Sequence, residues 1–498
     1  MSQLSPTAGQ AQAIAAELRA QILAGTLPSG ARLPSTRGLA AERGVSRGTV
    51  TAAYEQLLAE GYLRSRPGAR AVVAPGLRAA PPPAADAEPR APEPLSAYGS
   101  RLASAEAVEP PRPALADFRF GDLAAEDFPL LAWKRALLAA LPRRPAWVGY
   151  GAAEGQPALR AALAAYLWRA RGLRCTAEQI VVVNGSQQGI DLCARLALDQ
   201  GAAAVVEDPG YARARDVFRA AGASLLPVPV DQDGLMTDAL PAGGARIVHL
   251  TPSHQFPLGG VLPAGRRAAL VDWAAKTGAW VLEDDHDSEF RYDIAPIPPL
   301  AARPGGARVI YLGTISKTLS PGLRLGYLVP PPELVGPLRA AKRLTDRHAP
   351  TLEQEALAAL IAGGGYEAHL RRIRRRHAAR RAALLAALRA GFGARVRVQG
   401  AAAGLHVVVW FAELPAASET GLVTAARAAG VGLYPVGPLY VAAPRPDCAG
   451  VVMGYGGLAP ERITAGVTRL AEVLAQRPGG RASRASAASM TARSNTPG

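Results

Sequence analysis

Beyond residue 116, short apolar segments alternate with longer stretches whose apolar positions recur at helical period. Five of these segments have three or four residues, are rich in β-branched side chains and are typical of buried strands. They are Ile180–Val183, Ala204–Val206, Ile247–Leu250, Trp280–Leu282 and Val309–Leu312. Because helical stretches separate them, the pattern predicts an α/β fold, with a mostly parallel sheet covered by helices on both faces.

The first 74 residues follow a different pattern, with three helical stretches and then two extended segments. Apolar residues recur at helical period over residues 10–27, and a second helix is predicted over Arg37–Arg43. Gly44 makes a turn, and Ser46 is the N-cap of a third helix. This pattern predicts a winged helix-turn-helix that places its third helix in the DNA major groove. The alternative is an ordinary three-helix bundle. The extended segments that would form the wing are Tyr62–Arg64 and Arg70–Val73.

The predicted domains are separated by a segment of biased composition. Residues 75–116 are dominated by Pro, Ala, Glu and Arg, which predicts a semi-extended, flexible linker. Residues 477–498 contain Arg, Ser, Ala and Gly without an apolar pattern and predict a disordered tail. We therefore expect a DNA-binding unit over residues 1–74 and an α/β domain over residues 117–476.

Charge and cysteine content narrow the class of protein. The formal charge of +16 at pH 7 suggests a polyanionic partner such as DNA, although abundant Arg can also reflect genomic base composition. Cys175, Cys193 and Cys448 are far apart and odd in number, so they predict neither a disulfide framework nor a metal site. No secretory signal and no apolar run of about 18 residues is evident. We expect a cytoplasmic protein without a membrane partner.

The fifth predicted strand leads into Thr314-Ile315-Ser316-Lys317. Only four of the 56 basic residues are lysines, so a lysine beside buried sequence suggests a need that a guanidinium group cannot meet. An amine can lose its proton and bond covalently to a carbonyl carbon, whereas arginine stays charged. Arg324 follows seven residues later and has the planar fork that suits a phosphate. The alternative is a lysine at a strand end with a surface arginine nearby.

Polar or aromatic side chains also follow the other four predicted strands. Asn184-Gly185-Ser186-Gln187 opens a helix, and free backbone amides at a helix start can hold a phosphate. Tyr211, after the second strand, can stack on a planar ring, and Glu283–Asp287 follows the fourth strand. Each segment alone could be a solvated loop. In a parallel sheet, however, they converge at one edge, where ligands bind.

Thr314-x-Ser316-Lys317 with Arg324-Leu325-Gly326-Tyr327 resembles the pyridoxal-phosphate lysine segment of fold-type I aminotransferases. It resembles more closely the version in MocR-type regulators of the GntR family. Leu33–Arg37, Gly44–Val50 and Tyr54–Leu57 are similar to the GntR winged-helix signature. The resemblance covers nearly the whole chain apart from the linker and the tail. It implies a winged helix-turn-helix plus a large aminotransferase-like domain, with a smaller C-terminal α+β subdomain.

The resemblance also implies a role for each matching residue. Lys317 would be the catalytic-type lysine that bonds the pyridoxal 5'-phosphate cofactor, and Asp284 would keep its ring nitrogen protonated. Tyr211 would stack on the ring, and Tyr150 would reach the cofactor of a neighbouring subunit in a homodimer. The phosphate would be held by Ser186, Gln187, Thr314, Ser316 and Arg324. The double-stranded DNA operator would be contacted by Arg37, Ser46, Arg47, Thr49 and Gly68.

Three departures from the family pattern bear on function. Gly68-Ala69-Arg70-Ala71 stands where the wing usually reads Gly-Ser-Gly-Thr, which alters the expected minor-groove contact. His286 replaces a tyrosine that bonds the ring hydroxyl; imidazole can donate that hydrogen bond but titrates near neutrality. Val452 replaces the arginine that binds a substrate carboxylate. Arg213 is then left as a candidate substrate contact, with a surface helix arginine as the alternative.

Together these features predict a pyridoxal-phosphate-dependent transcription regulator. Its effector would be an amine, an amino acid or pyridoxal phosphate itself. The alternative function is a working aminotransferase that carries a DNA-binding module, against which the missing carboxylate arginine argues. The cationic run His369–His377 keeps a helical apolar stripe, so we expect an amphipathic helix there rather than a second nucleic-acid site.

Overall fold

The computed structural model describes residues 6–66, 69–76, 95–103, 115–142, 149–292 and 297–476. The chain separates into two compact units, Met1–Pro94 and Leu95–Gly498. The predicted tail and most of the predicted linker lie outside the described residues. Among the described helices, none is both long enough and apolar enough to cross a lipid bilayer.

The N-terminal unit contains three helices and a two-stranded sheet. The helices are α1 (Pro6–Leu23), α2 (Thr36–Arg43) and α3 (Arg47–Ala59), and the strands are β1 (Leu63–Arg64) and β2 (Val72–Val73), which pair antiparallel. Two N-caps fix the helix starts: the hydroxyls of Ser35 and Ser46 each accept a backbone N–H at 3.1 Å. Gly44 ends α2 with a positive φ of 63°, which a residue without Cβ adopts at little cost.

Apolar side chains from all three helices and the wing form the core of this unit. They include Leu18, Leu33, Val50, Leu57 and Val73, all nearly or fully buried. These buried positions belong to the helices and wing strands that the sequence pattern predicts. The predicted winged helix-turn-helix is therefore confirmed.

The second unit is built on an eight-stranded sheet with the order β4-β11-β10-β9-β8-β5-β6-β7. All neighbouring pairs from β10 to β6 are parallel, while β11 and β7 run antiparallel to their neighbours, so the sheet is mostly parallel as predicted. The bounds are β4 (Val181–Val183), β5 (Ala203–Asp208), β6 (Ser224–Asp231), β7 (Gly234–Leu235), β8 (Ala245–Leu250), β9 (Trp280–Asp285), β10 (Val309–Thr314) and β11 (Gly326–Val329).

Helices cover both faces of this sheet because its strands carry apolar side chains on both faces. Val181 and Val183 pack in a different apolar cluster from Ile180 and Val182, as alternation along a strand requires. The helices are α5 (Leu130–Ala140), α6 (Pro157–Arg171), α7 (Ser186–Ala197), α8 (Ala212–Ala220), α9 (Ala264–Thr277), α10 (Pro332–Asp346) and α11 (Thr351–Ala362), preceded by α4 (Ala97–Ala103).

The chain ends in a smaller α+β region, as the resemblance implies. A four-stranded antiparallel sheet has the order β12-β13-β16-β15, and β3 pairs parallel with β14. The strands are β3 (Ala116–Asp117), β12 (Val396–Gln399), β13 (His406–Pro415), β14 (Val431–Gly432), β15 (Tyr434–Pro435) and β16 (Cys448–Gly454). The helices are α12 (Gly365–Phe392), α13 (Glu419–Ala428) and α14 (Pro460–Ala475).

Helix α12 contains the cationic run His369–His377. Leu370, Ile373, Leu384 and Leu388 are buried along one side of the helix. The exposed positions of the cationic run are arginines: Arg371, Arg372, Arg375 and Arg376. The run therefore forms an amphipathic helix of the domain core, which agrees with the interpretation preferred from the sequence.

One helix lies inside the segment for which the sequence predicts an extended linker. Helix α4 packs against α8, and the Arg101 side chain donates a hydrogen bond from Nε to the Ala220 carbonyl oxygen at 2.9 Å. Residues 97–103 therefore form part of the second unit. Their composition is close to that of the rest of the segment, so the sequence pattern did not distinguish them.

Candidate functional site

The polar residues at the carboxyl ends of the central strands line one cavity of about 250 Å³. Aromatic and apolar side chains from distant parts of the chain complete its wall. The lining residues are Phe120, Gly121, Ser186, Gln187, Tyr211, Thr251, Phe256, Asp284, His286, Asp287, Thr314, Ser316, Lys317, Pro321, Arg324, Leu405 and His406. Nine of the ten residues predicted to bind the cofactor are thus brought together in it.

Lys317 projects into this cavity from the turn after β10. Its Nζ donates a hydrogen bond to the carbonyl oxygen of Gly121 at 3.1 Å. Burial lowers the pKa of the Lys317 amine, while the nearby carboxylates of Asp287, Asp122 and Asp284 act in the opposite direction. A lysine with a lowered pKa is more often unprotonated at neutral pH, and only the unprotonated amine is a nucleophile.

Asp284 is the next-to-last residue of β9 and faces the cavity with one carboxylate oxygen free. Its Oδ2 lies 3.3 Å from Nε2 of His249, which is buried on the adjacent strand β8. Its Oδ1 is buried and has no hydrogen-bond partner among the described residues. An orphaned carboxylate oxygen in a cavity is costly unless a ligand cation or N–H group meets it. Tyr211 stacks beside His249, with ring centroids 6.4 Å apart and planes 28° apart.

A turn between β4 and α7 forms a cradle at the other end of the cavity. Gly185 has a φ of +79°, and a Cβ there would lie within 3 Å of the Arg324 guanidinium group. Arg324 donates from Nη2 to the Asn184 carbonyl oxygen at 2.8 Å. Helix α7 begins directly afterwards at Ser186, so its free amides point toward the same space.

The hydroxyls of Thr314 and Ser316 lie on the facing side of the cradle. Thr314 Oγ1 accepts the Ser316 backbone N–H at 3.1 Å and lies 3.0 Å from Ser316 Oγ. Together with Arg324 and the α7 amides, these groups form a site with hydrogen-bond donors and one permanent cation. That combination suits a phosphate group.

Imidazoles and a carboxylate meet on a third side of the cavity. Nδ1 of His254 lies 3.0 Å from Asp287, and Nε2 of His286 lies 3.4 Å from the same carboxylate. Burial alone would raise the pKa of Asp287, but the charges of His254 and His286 hold it well below its usual range. The ligand atoms of these three residues lie within 4.8 Å of one another, so they could also approach a metal ion. His406 packs on His254, with ring centroids 5.2 Å apart.

Two predicted site residues lie outside the cavity lining. Tyr150 is 78% exposed, and the Arg347 guanidinium group stacks on its ring at 4.3 Å. Arg213 is exposed on α8, as in the alternative interpretation, and its carbonyl oxygen accepts from Gln187 Nε2 at 3.4 Å. Val452 lies in β16, fully buried in an apolar cluster with Phe256 and Trp410.

The described DNA-contact candidates of the first unit lie at the starts of α2 and α3. Arg37 is exposed at the start of α2, and Ser46 and Arg47 are exposed at the start of α3. The two helix starts are close together, since Arg47 Nε lies 3.4 Å from Thr36 Oγ1. Thr49 is 4% exposed, and its hydroxyl lies 2.8 Å from Ser46 Oγ, so it supports the N-cap. The predicted contact at Gly68 lies outside the described residues.

Sequence reasoning missed several residues that contact the predicted site residues. His249 lies within a strand of apolar residues, so the sequence pattern indicates a core position. The only sign of a role in the site is that His249 lies near the carboxyl end of this strand, two residues before Thr251. Gly121 and Phe120 enter the cavity from a segment almost 200 residues before Lys317. Their approach depends on long-range packing, which one sequence pattern does not reveal.

Comparisons with known proteins agree with both units. The model of bacterial regulatory proteins of the gntR family matches residues 10–73, and the model of aminotransferase class I and II matches residues 119–441. Fold and cavity therefore define a protein in which a GntR-type DNA-binding unit precedes an aminotransferase-like domain. This is the architecture that the sequence motifs implied.

Several relatives have the same organisation. The probable rhizopine catabolism regulatory protein MocR of Rhizobium meliloti is 37% identical over 91% of each chain. The HTH-type pyridoxine biosynthesis transcriptional regulator PdxR of Corynebacterium glutamicum is 34% identical, over 73% of this chain and 76% of that protein. The chain belongs to the MocR-type regulators of the GntR family, and it is a pyridoxal-phosphate-dependent, DNA-binding transcriptional regulator.

A solved structure supports the cofactor. LysN, the α-aminoadipate aminotransferase of Thermus thermophilus, was solved with N-(5'-phosphopyridoxyl)-L-leucine; it is 32% identical and has a TM-score of 0.65, over 72% of this chain and 92% of that chain. The cavity described above fits the same cofactor. Its orphaned Asp284 oxygen suits a protonated ring nitrogen, its cradle suits a phosphate and its lysine suits an aldehyde. Pyridoxal phosphate, when bound, supplies an electron sink.

Proposed function

We propose that the cavity at Lys317 is a sensor whose bound state changes how tightly the winged helix-turn-helix holds its DNA operator. The effector is an amine, an amino acid or pyridoxal phosphate itself, and the domain carries out partial transamination at most. Lys317 bonds the cofactor, Asp284 faces the ring nitrogen, Tyr211 stacks on the ring and His286 bonds the ring hydroxyl. The phosphate is held by Ser186, Gln187, Thr314, Ser316 and Arg324.

The observation that carries this proposal is the distribution of charge around the cavity. Among the described lining residues, Lys317 is the only lysine and Arg324 is the only arginine. Both are assigned to the cofactor. Val452, at the position of the family's carboxylate arginine, is buried among apolar side chains. Transamination requires the substrate to be fixed so that the breaking bond is correctly oriented. A site without a third cation supports ligand sensing rather than repeated turnover of amino acids.

A homodimer is part of the same proposal. Helix α5 exposes Leu130, Leu131 and Leu138 to 65%, 74% and 54%, and Tyr150 is exposed as well. Large apolar side chains left in water over one helix are typical of an association surface. In a dimer, Tyr150 would reach the cavity of the partner subunit. The free thiols of Cys175, Cys193 and Cys448 support a location in the reducing cytoplasm.

The DNA contacts remain part of the proposal at residue level. Arg37 is exposed at the start of α2, and Arg47 is exposed at the start of α3, where a recognition helix meets base edges. We assign base readout to Arg47 because arginine binds guanine with two hydrogen bonds. Ser46, Thr49 and Gly68 are assigned to phosphate contact and positioning.

The test is a coupled assay of the full-length, cofactor-loaded protein across a panel of amino donors and keto acids. We expect a single spectral change with effective amines and no repeated turnover. Lys317→Ala should lose both the visible absorption of the lysine-bound cofactor and the spectral change. Sustained turnover by the unmodified protein at about 1 per second or faster would favour the aminotransferase alternative.

A further inference from the structure

The second unit contains a fully buried lysine away from the cavity lining. Lys342 lies on α10 with no exposed side-chain surface, and its Nζ is 2.6 Å and 2.8 Å from the two carboxylate oxygens of Asp346. Burial lowers the pKa of Lys342, while the hydrogen bond and charge of Asp346 act in the opposite direction. A buried ammonium group persists only when it is paired in this way.

Asp346 is also the acceptor for two further side chains. Asn184 Nδ2 and Gln188 Nε2 each lie 2.6 Å from Asp346 Oδ2. Gln188 Oε1 in turn accepts the Asn184 backbone N–H at 2.7 Å. Donors from β4–α7 and from α10 therefore converge on one carboxylate, and the charge on Lys342 offsets that of Asp346.

This network holds the turn that forms the phosphate cradle. The Asn184 carbonyl oxygen accepts from Arg324, and Gly185 and the amides of α7 follow immediately. Rotation of the Asn184 peptide would move its carbonyl away from Arg324 and turn the first amides of α7. Since hydrogen bonds to an ionised group are about twice as strong as neutral ones, Asp346 is suited to prevent that rotation.

We propose that Asp346, neutralised by Lys342, is a positioning residue that sets the affinity of this chain for the phosphate of its ligand. The inference rests on the proposed function, because it takes the turn at Gly185 as the phosphate site. The Asp346 carboxylate hydrogen-bonds to Asn184 and Gln188, which do not line the cavity themselves. Asp346 therefore acts on the cavity through these two residues. Its effect is therefore specific to the phosphate end of the cavity and leaves the lysine end unchanged.

The test compares two ligands that differ only in the phosphate. Apo protein is titrated with pyridoxal phosphate and with pyridoxal, and binding is followed by the visible absorption of the lysine-bound ligand. Asp346→Asn should weaken binding of pyridoxal phosphate about tenfold or more, the change expected for losing a charged hydrogen-bond partner. The affinity of this variant for pyridoxal should stay within about twofold of that of the unmodified protein. Inorganic phosphate should also compete less well in this variant.

Two further variants keep the test decisive. Asn184→Asp has the same shape but turns the donor that faces Asp346 into a like charge, and it should show the same loss if Asp346→Asn does not fold. Asp191→Asn is the matched control, since Asp191 pairs with the exposed Arg195 on the same helix. It should behave as the unmodified protein.

The outcomes separate this proposal from the function on which it rests. Equal weakening of both ligands by Asp346→Asn and Asn184→Asp, or weakening of neither, would contradict the positioning role. If the unmodified protein binds pyridoxal as tightly as pyridoxal phosphate, the phosphate site itself is wrong, and the proposal fails with it.

Discussion

Lys317 Nζ donates a hydrogen bond to the carbonyl oxygen of Gly121, a residue 196 positions earlier in the chain. Gly121 has a φ of +92°, and a Cβ at this position would collide with the lysine amine. The glycine therefore provides both the acceptor that orients the amine and the space that the amine occupies.

Gly121→Ala should slow the capture of pyridoxal phosphate by apo protein at least tenfold, because the added methyl group displaces Nζ. The rate of appearance of the visible absorption of the bound cofactor measures this effect. Gly149→Ala is the control, since a Cβ there meets nothing within 4 Å. A capture rate unchanged in Gly121→Ala would show that the amine position does not depend on this contact.

The pH dependence of cofactor capture should report the environment of Lys317. Burial lowers the pKa of the amine from its ordinary value of 10.5, and Asp287 is the leading charge that raises it again. Capture should therefore accelerate as pH rises and level off below pH 10.5. Asp287→Asn removes a raising charge, so its inflection should lie at lower pH. An inflection shifted to higher pH in that variant would contradict this assignment.

Glu207 should make folding stability depend on pH. Burial raises its pKa from 4.5 to about 7, against the hydrogen bonds from Thr251. A carboxyl group with a raised folded-state pKa stabilises the fold below its unfolded pKa and loses that contribution as pH rises through about 7. The loss is on the order of 3 kcal/mol.

Glu207→Gln keeps an acceptor for Thr251 but cannot titrate. Between pH 5 and pH 8, the thermal midpoint of this variant should fall by several degrees less than that of the unmodified protein. Parallel pH profiles for the two proteins would show that Glu207 keeps an ordinary pKa.

Arg47→Ala should weaken operator binding by about 1–3 kcal/mol and relax preference at one base pair. Arg19→Ala is a matched control because it removes the same charge from the same unit; Arg19 pairs with Glu60. Binding isotherms on the operator and on a shuffled sequence separate readout from general charge attraction. Equal losses in both variants would contradict base readout by Arg47.

Much of the site could be predicted from the sequence because it follows a simple rule. Asp284 lies at the carboxyl end of a short apolar strand, and Ser186 and Lys317 each follow such a strand by three residues. A parallel sheet brings these positions to one edge. The N-cap Ser46 likewise follows local chemistry that the sequence shows directly.

The rest depends on pairings between distant segments. His249 supports Asp284 from the interior of a neighbouring strand, where its position looks like core. In the sequence, Lys342 and Asp346 look like an ordinary i,i+4 ion pair on a helix. Their role at the phosphate cradle arises only because α10 packs against α7. Helix α4 is held by its packing on α8, and the surrounding composition predicts an extended chain. In each case tertiary packing overrides the local signal.

The most direct test of the account measures operator DNA binding by the full-length protein in three states. Fluorescence anisotropy titrations would use the apo form, the form loaded with pyridoxal phosphate and the loaded form with an amine that changes its spectrum. We predict that operator affinity changes by about five- to 150-fold between at least two of these states. The response should be absent in Lys317→Ala, whose DNA-binding unit is intact. Identical operator affinity of the unmodified protein in all three states would contradict the claim that this cavity controls DNA binding.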